Sequence, residues 1–199
     1  ESLTASTPYI FAGLGVALGF RAGLFNIGAE GQFFMGSLGA AFVGYSLVGW
    51  PLLVHLPLAI LGGFLVGAIW GAIPGWLKAK TGGHEVVNTI MMNYIAYRLS
   101  DWLINGPMKA PGFRPVTPHI QASAELPRLF GDPLRFNVGF FLALIVAGLV
   151  FWLLFKTTIG FTIRAVGANP DASRYAGMSI TRTIVLAMTL SGGLAGLAG

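Results

Sequence analysis

Between two apolar segments the chain carries Phe25-Asn26-Ile27-Gly28-Ala29-Glu30-Gly31-Gln32. Apolar sequence runs from Tyr9 to Phe20 before it, and no charged residue appears between Gly31 and Leu77 after it. Asn26, Glu30 and Gln32 thus bring two amides and a carboxylate to the junction of hydrophobic segments. In a membrane such groups are costly unless they face protein, water or a cargo. Gly28 and Gly31 are expected to let the backbone leave helical geometry. Broken helices at membrane depth are tolerated where they are buried in protein or line a cavity. One reading is a helix broken near Asn26–Gln32 beside a transport pathway. The other is a short polar turn at the bilayer surface, with Glu30 near a helix N-terminus. The residues alone do not separate the two.

A second polar set is Asn88, Thr89 and Asn93. Thr89 and Asn93 stand four apart and share a helix face, with Asn88 at a neighbouring angle. A polar stripe on a membrane helix faces other helices or a pathway, and hydrogen-bonding glue is as good a reading as cargo contact. His84-Glu85 invites a metal or catalytic reading. The other histidines are His55, in an apolar run, and His119, in a long loop, and there is no cysteine. Without a His-x-x-x-His pair or a thiolate, a zinc site would need distant partners, so no metal ligand is expected. His84 and Glu85 read better as a helix start, where an acidic first turn complements the dipole. No Gly-x-Ser-x-Gly and no phosphate-binding Walker loop occurs, so no catalytic residue is expected and the chain itself is not expected to hydrolyse ATP.

The elements that must position these groups are membrane helices. Of 199 residues, 55% are hydrophobic and only 10% charged, against roughly a quarter charged in soluble domains. Mean hydropathy is +0.74. Twenty-nine glycines suit close helix packing in lipid. Trp50, Trp76, Trp102 and Trp152 fall near expected span ends, as interfacial belts require. The net charge of +5 is explained by basic loop residues rather than by nucleic acid. Six membrane segments are expected. They are Pro8–Phe20, extended by Ala22 to Phe25 to reach span length, then Phe33–Val48, Leu52–Leu77, Glu85–Ile104, Val138–Phe155 and the run from Ile184. Asn105–Asn137 reads as a long proline-rich loop. Lys156–Arg182 reads as a basic loop in which Asn169 caps a short helix with Pro170 at its first position, ending at Gly177. Lys78, Lys80, Lys156, Arg164, Arg174 and Arg182 fall on one side of the membrane, and Lys109, Arg114, Arg128 and Arg135 on the other. Charge bias points to the first side as cytoplasmic. The chain begins at Glu1 and stops at Gly199 inside an apolar run, and so reads as an internal piece of a longer protein.

Three ordered motifs carry a family resemblance. They are Phe20-Arg21-Ala22-Gly23-Leu24-Phe25-Asn26-Ile27-Gly28-Ala29-Glu30-Gly31-Gln32, then Gly83-His84-Glu85-Val86-Val87-Asn88-Thr89-Ile90-Met91-Met92-Asn93-Tyr94-Ile95-Ala96, then Thr158-Ile159-Gly160-Phe161 with Arg164–Pro170 and Arg174–Met178. Together they resemble the permease subunits of bacterial ABC importers for nucleosides and simple sugars, relatives of the ribose and branched-chain amino acid permeases. The resemblance implies one transmembrane permease domain over residues 1–199, an all-α helix bundle in the cytoplasmic membrane. It implies a second permease subunit, a cytosolic ATPase subunit that holds the ATP and Mg, and an extracytoplasmic binding protein or lipoprotein. Surrounding lipid is the remaining partner, and no cofactor is expected on this chain. By similarity, Asn26, Glu30, Gln32, Asn88 and Asn93 border the substrate pathway. Asn169, Asp171, Arg174, Tyr175 and Gly177 form the helix that couples to the ATPase, within a cytoplasmic 156–182 loop. Residues 105–137 lie outside. A branched-chain amino acid is an alternative cargo, because Arg21 and Glu30 would supply the opposite charges that a zwitterion needs. An ATP-independent channel or secondary transporter is a further alternative, and an enzyme built on His84 and Glu85 the least supported.

Overall fold

The computed structural model describes residues 2–127 and 136–199. Arg128 and Arg135, assigned above to the far side of the membrane, lie outside the described residues. The fold is all-α, a helical membrane bundle. Its elements are α1 (Ser2–Arg21), α2 (Ala29–Ser46), α3 (Leu52–Thr81), α4 (Glu85–Asn105), α5 (Gly139–Lys156), α6 (Thr158–Ala168), α7 (Pro170–Tyr175) and α8 (Ile180–Gly196), with a 3-10 turn at Ala122–Ala124. The six expected segments correspond to α1 to α5 and α8. By length and composition alone, Leu3–Arg21, Leu52–Thr81 and Gly139–Lys156 are long and apolar enough to cross a membrane, while α8 is apolar but shorter. Lower hydropathy in α2 and α4 goes with the polar residues discussed below.

The centre of the bundle is α3 against α8. At 30 residues α3 is about 45 Å long, more than the roughly 30 Å hydrocarbon core. It starts after Pro51, ends on Gly82 in the left-handed region at φ +69°, and carries Lys78 and Lys80 in its last turn. Gly63, Gly67, Gly71 and Gly75 recur every fourth residue and form one stripe on α3. A Cβ on Gly67 would fall 2.6 Å from the Gly192 carbonyl oxygen, and one on Gly71 would fall 2.5 Å from that of Met188. The two backbones therefore touch, as small residues permit in lipid, where no hydrophobic force drives helices together. On another face of α3, Gly62 meets Gly39 of α2. α1 packs on α5 and α8, with Leu18, Leu154, Ile163 and Met188 in a shared apolar core.

Three expectations are corrected. First, α1 reaches span length by starting at Ser2, not by adding Ala22 to Phe25. Second, the interruption occupies Ala22–Gly28, and Glu30 and Gln32 belong to the first turns of α2. Its left-handed residue is Gly23, at φ +71°. Gly28 and Gly31 are small for a different reason. A Cβ at Gly31 would lie 2.7 Å from Asn93 Oδ1, and one at Gly28 would lie 3.0 Å from both Asn26 Oδ1 and Thr89 Cβ. Third, the 156–182 stretch is mostly helical, because α6 fills its first half. Thr157 starts α6: its Oγ1 accepts from the Gly160 amide at 3.1 Å and donates to the Leu153 carbonyl at 2.6 Å. Gly160 lets α6 fold back against the Leu153–Leu154 backbone of α5.

Candidate functional site

A helix that starts inside a membrane protein leaves amide groups that need partners. α2 finds them in side chains from the preceding link and from α4. The Gly28 amide donates to Asn26 Oδ1 at 3.0 Å. The Gly31 amide donates to Asn93 Oδ1 at 2.8 Å, and Asn93 Nδ2 returns a bond to the Ile27 carbonyl at 3.1 Å. Asn93 thus clamps the start of α2 from a different helix. Asn26 Nδ2 donates to Gln32 Oε1 at 2.9 Å and to Ser191 Oγ at 2.8 Å, while its Oδ1 also accepts from Gln32 Nε2 at 3.2 Å. Ser191 in turn donates to the Gly15 carbonyl at 2.7 Å. Every donor and acceptor position of the Asn26 amide is in use. Asn26, Gln32, Asn93 and Ser191 are all buried, and together they tie α1, α2, α4 and α8 at one point. A saturated amide can bond a passing molecule only by giving up one of these contacts.

Glu30 is placed differently. It is exposed on the outer side of the first turn of α2. The Tyr97 hydroxyl of α4 faces its carboxylate. One turn along α2, Phe34 meets the Tyr97 ring edge-on at 5.3 Å, and Tyr94 lies 6.2 Å from Tyr97. Phe34 and Tyr94 are themselves exposed. A carboxylate therefore sits within an aromatic surface formed by α2 and α4.

At the turn between α3 and α4, Lys78 pairs with Glu85 at 2.9 Å. His84 is exposed at the N-terminal boundary of α4, and Asn88 is half-buried one turn further. The Lys78–Glu85 pair pins the two helix ends across Gly82-Gly83, the bland role of a helix start. No group of three or more His, Asp or Glu able to hold a metal occurs among the described residues.

The expected short helix is present as α7. Asn169 Oδ1 accepts from the Ala172 amide at 3.0 Å, and Pro170 occupies the first position. The end is set by Gly177 at φ +80°, with the Met178 amide donating back to the Ser173 carbonyl at 3.0 Å. Ser173 is buried while Asp171, Arg174 and Tyr175 are exposed, Tyr175 at 95%. A six-residue helix is too short to hold itself together. Its stability comes from both caps and from the contact with α6 and α8.

Sequence reasoning missed the part played by His55. It is fully buried at the other end of the bundle, where its Nε2 lies 3.1 Å from the Val43 carbonyl and its Nδ1 lies 2.7 Å from Ser123 Oγ. Since the carbonyl only accepts, Nε2 carries the proton and Nδ1 accepts from Ser123. The ring thereby ties α2 and α3 to the 3-10 turn of the 105–137 stretch. The Gln121 amide, donating to the Gly44 carbonyl at 2.9 Å, adds a second tie. A histidine within an apolar run is the only sequence signal for it.

The sequence pattern of the family described as "Branched-chain amino acid transport system / permease component" matches residues 1–199. Among curated relatives, the guanosine ABC transporter permease protein NupP of Bacillus subtilis is 44% identical over all of this chain and 58% of its own length. The nucleoside ABC transporter permease protein NupB of Lactococcus lactis is 37% identical, with 100% of this chain and 57% of its own length covered. A glucose ABC transporter permease protein of Haloferax volcanii is also 37% identical, over 100% of this chain and 55% of its own length. The chain thus spans somewhat more than half the length of these relatives. No solved structure matches it.

Proposed function

The chain belongs to the family of branched-chain amino acid transport system permease components, and on that basis we propose that it forms part of the membrane-spanning core of an ATP-driven importer for a nucleoside or simple sugar. The observation that carries this reading is the match along the whole chain to permeases named for guanosine and nucleosides, at 44% and 37% identity. The core sits in the cytoplasmic membrane beside a second permease subunit. A separate ATPase subunit binds ATP and Mg, and a binding protein delivers cargo at the 105–137 side.

The geometry supports a division of labour. Glu30, with Phe34, Tyr94 and Tyr97, borders the pathway. A nucleoside presents a flat base, which stacks on aromatic rings, and a donor edge, which a carboxylate accepts. Asn88 stands nine residues from Tyr97, on another side of α4 and close to Gly83, beside the helix start that His84 and Glu85 set. Asn26, Gln32 and Asn93 serve the pathway indirectly, by fixing the start of α2 and so the position of Glu30. On the cytoplasmic side, Asp171, Arg174 and Tyr175 of α7 project from a buried Ser173 base, and Asn169 and Gly177 terminate the helix. That is the form of a knob that seats on an ATPase and transmits its closure to a two-state bundle.

The test is uptake into proteoliposomes containing the full-length permease, its partner permease, its ATPase and its binding protein, with labelled guanosine, ribose and leucine in competition. ATP-dependent guanosine uptake blocked by other nucleosides is the expected result. Leucine uptake would replace the cargo, and flux without ATP would discard the mechanism.

A further inference from the structure

α1 and α6 meet backbone to backbone. A Cβ on Gly167 would run into the Arg21 carbonyl and the Ala22–Gly23 backbone, and Gly23 at φ +71° faces the Gly167 carbonyl. This contact brings together two arginines 143 positions apart in sequence, Arg21 and Arg164. Both stack on Phe155 at the end of α5, their guanidinium carbons 5.6 Å and 5.0 Å from the ring centroid. They flank an open cavity of about 480 Å³, lined also by Phe20, Phe161, Gly167 and Ala168. Among the described residues neither arginine has an acidic partner. The Arg164 Nε is buried with no hydrogen-bond acceptor. A basic residue at a helix end complements the dipole, which accounts for Arg21 at the end of α1 but not for a second guanidinium on the same ring. Like charges gathered without a counterion call for an anion, and two guanidiniums suit the oxygens of a phosphate.

The surroundings say which phosphate. The cavity lies where α1 and α5 both end, the level of lipid headgroups. Phe20 and Phe161 in its lining are exposed, as is Phe155 beneath the two arginines. From Phe155 the exposed side chains Trp152 and Leu149 continue up α5 as an apolar track. α6 itself is amphipathic, with Ile159 and Phe161 outward and Ile163 and Val166 buried. Cations at headgroup depth beneath an apolar track match a phospholipid, headgroup down and acyl chains along α5. We infer that Arg21, Arg164 and the Phe155 ring form a binding site for the phosphate of an anionic phospholipid of the cytoplasmic leaflet. The inference does not depend on which cargo the protein moves.

The test is native mass spectrometry of the full-length protein in detergent, titrated with phosphatidylglycerol. The same spectra are recorded for the Arg21→Gln/Arg164→Gln pair, and for Lys80→Gln, which removes a cation on the same side but away from the cavity. The expected result is lipid retention by the wild type and by Lys80→Gln, with affinity falling roughly thirtyfold in the paired variant. Should that pair fail to fold, Arg21→Lys/Arg164→Lys keeps both charges but loses the planar stack on Phe155. It is expected to retain lipid about tenfold more weakly than wild type. Retention equal in wild type and the charge-removing pair, or in wild type and the lysine pair, would overturn the inference. So would competition by millimolar inorganic phosphate, which would mark a soluble-anion site. Absent lipid retention, with loss of ATPase co-purification in either pair, would also overturn it and assign the cavity to a protein carboxylate.

Discussion

At the scale of single residues, the polar groups near the start of α2 divide into those that hold and those that are presented. Asn26 holds. Replacing it with leucine keeps roughly its size but strands the Gln32 amide, the Gly28 amide and the Ser191 hydroxyl bonds in a buried site. Losses of this kind cost on the order of 3 kcal/mol. The Asn26→Leu variant should unfold at lower temperature in detergent and transport poorly for that reason. Glu30 is presented. Glu30→Gln preserves shape at an exposed position, so stability should change by no more than about 0.5 kcal/mol, while uptake kinetics change. Thermal unfolding and uptake measured on the same two preparations separate the roles, and unchanged uptake in Glu30→Gln would remove that residue from the pathway. The sequence set Asn26, Glu30 and Gln32 together between apolar segments, where such groups need partners, and only the family resemblance joined Asn93 to them. It did not show which were saturated. That depends on Ser191, 165 positions from Asn26, and on contacts that no local spacing encodes.

At the scale of elements, α7 was legible and α6 was not. Asn169-Pro170 and Gly177 are punctuation with a known geometry, and the helix between them has the expected ends. α6 carries one such mark, the capping Thr157, but Gly160 and Gly167 look like breakers and Thr158, Ile159, Thr162 and Ile163 are poor helix formers. Tertiary contacts decide otherwise. Both glycines sit where a side chain would strike α5 or the end of α1. The consequence for α7 is that its exposed side chains can be changed without unfolding the bundle. Tyr175→Ala removes its exposed aromatic side chain, 95% accessible. If the helix seats on an ATPase, co-purification of the ATPase should fall about tenfold, as for loss of an interface aromatic, with the melting temperature of the permease unchanged. Undiminished co-purification and uptake would end the coupling role.

At the scale of the whole molecule, the helices alternate in direction so that two distinct ends emerge. His55, Ser123, Gly44 and Gln121 gather at one end. Lys78, Glu85, the α1–α6 contact and α7 lie at the other. Lys78 and Lys80 at the end of α3 and the basic residues of α6 and α7 share the second end, and labelling decides which end faces the cytoplasm. The chain contains no cysteine, which makes the arrangement simple to test. Phe113, fully exposed in the 105–137 stretch, should label as Phe113→Cys with a membrane-impermeant maleimide on intact cells. Lys80→Cys should label only after permeabilisation. The reverse pattern would invert the topology.

The contact between α3 and α8 has a genetic consequence. Gly67, Gly71 and Gly192 each stand where an added methyl group would lie under 3 Å from the opposing backbone. Backbone cannot rotate aside as a flexible side chain can. Every amino acid reachable from a glycine codon by one base change is larger than glycine. At these three codons no missense step of any kind is neutral, and in a saturation library scored for folded protein they would tolerate only synonymous change.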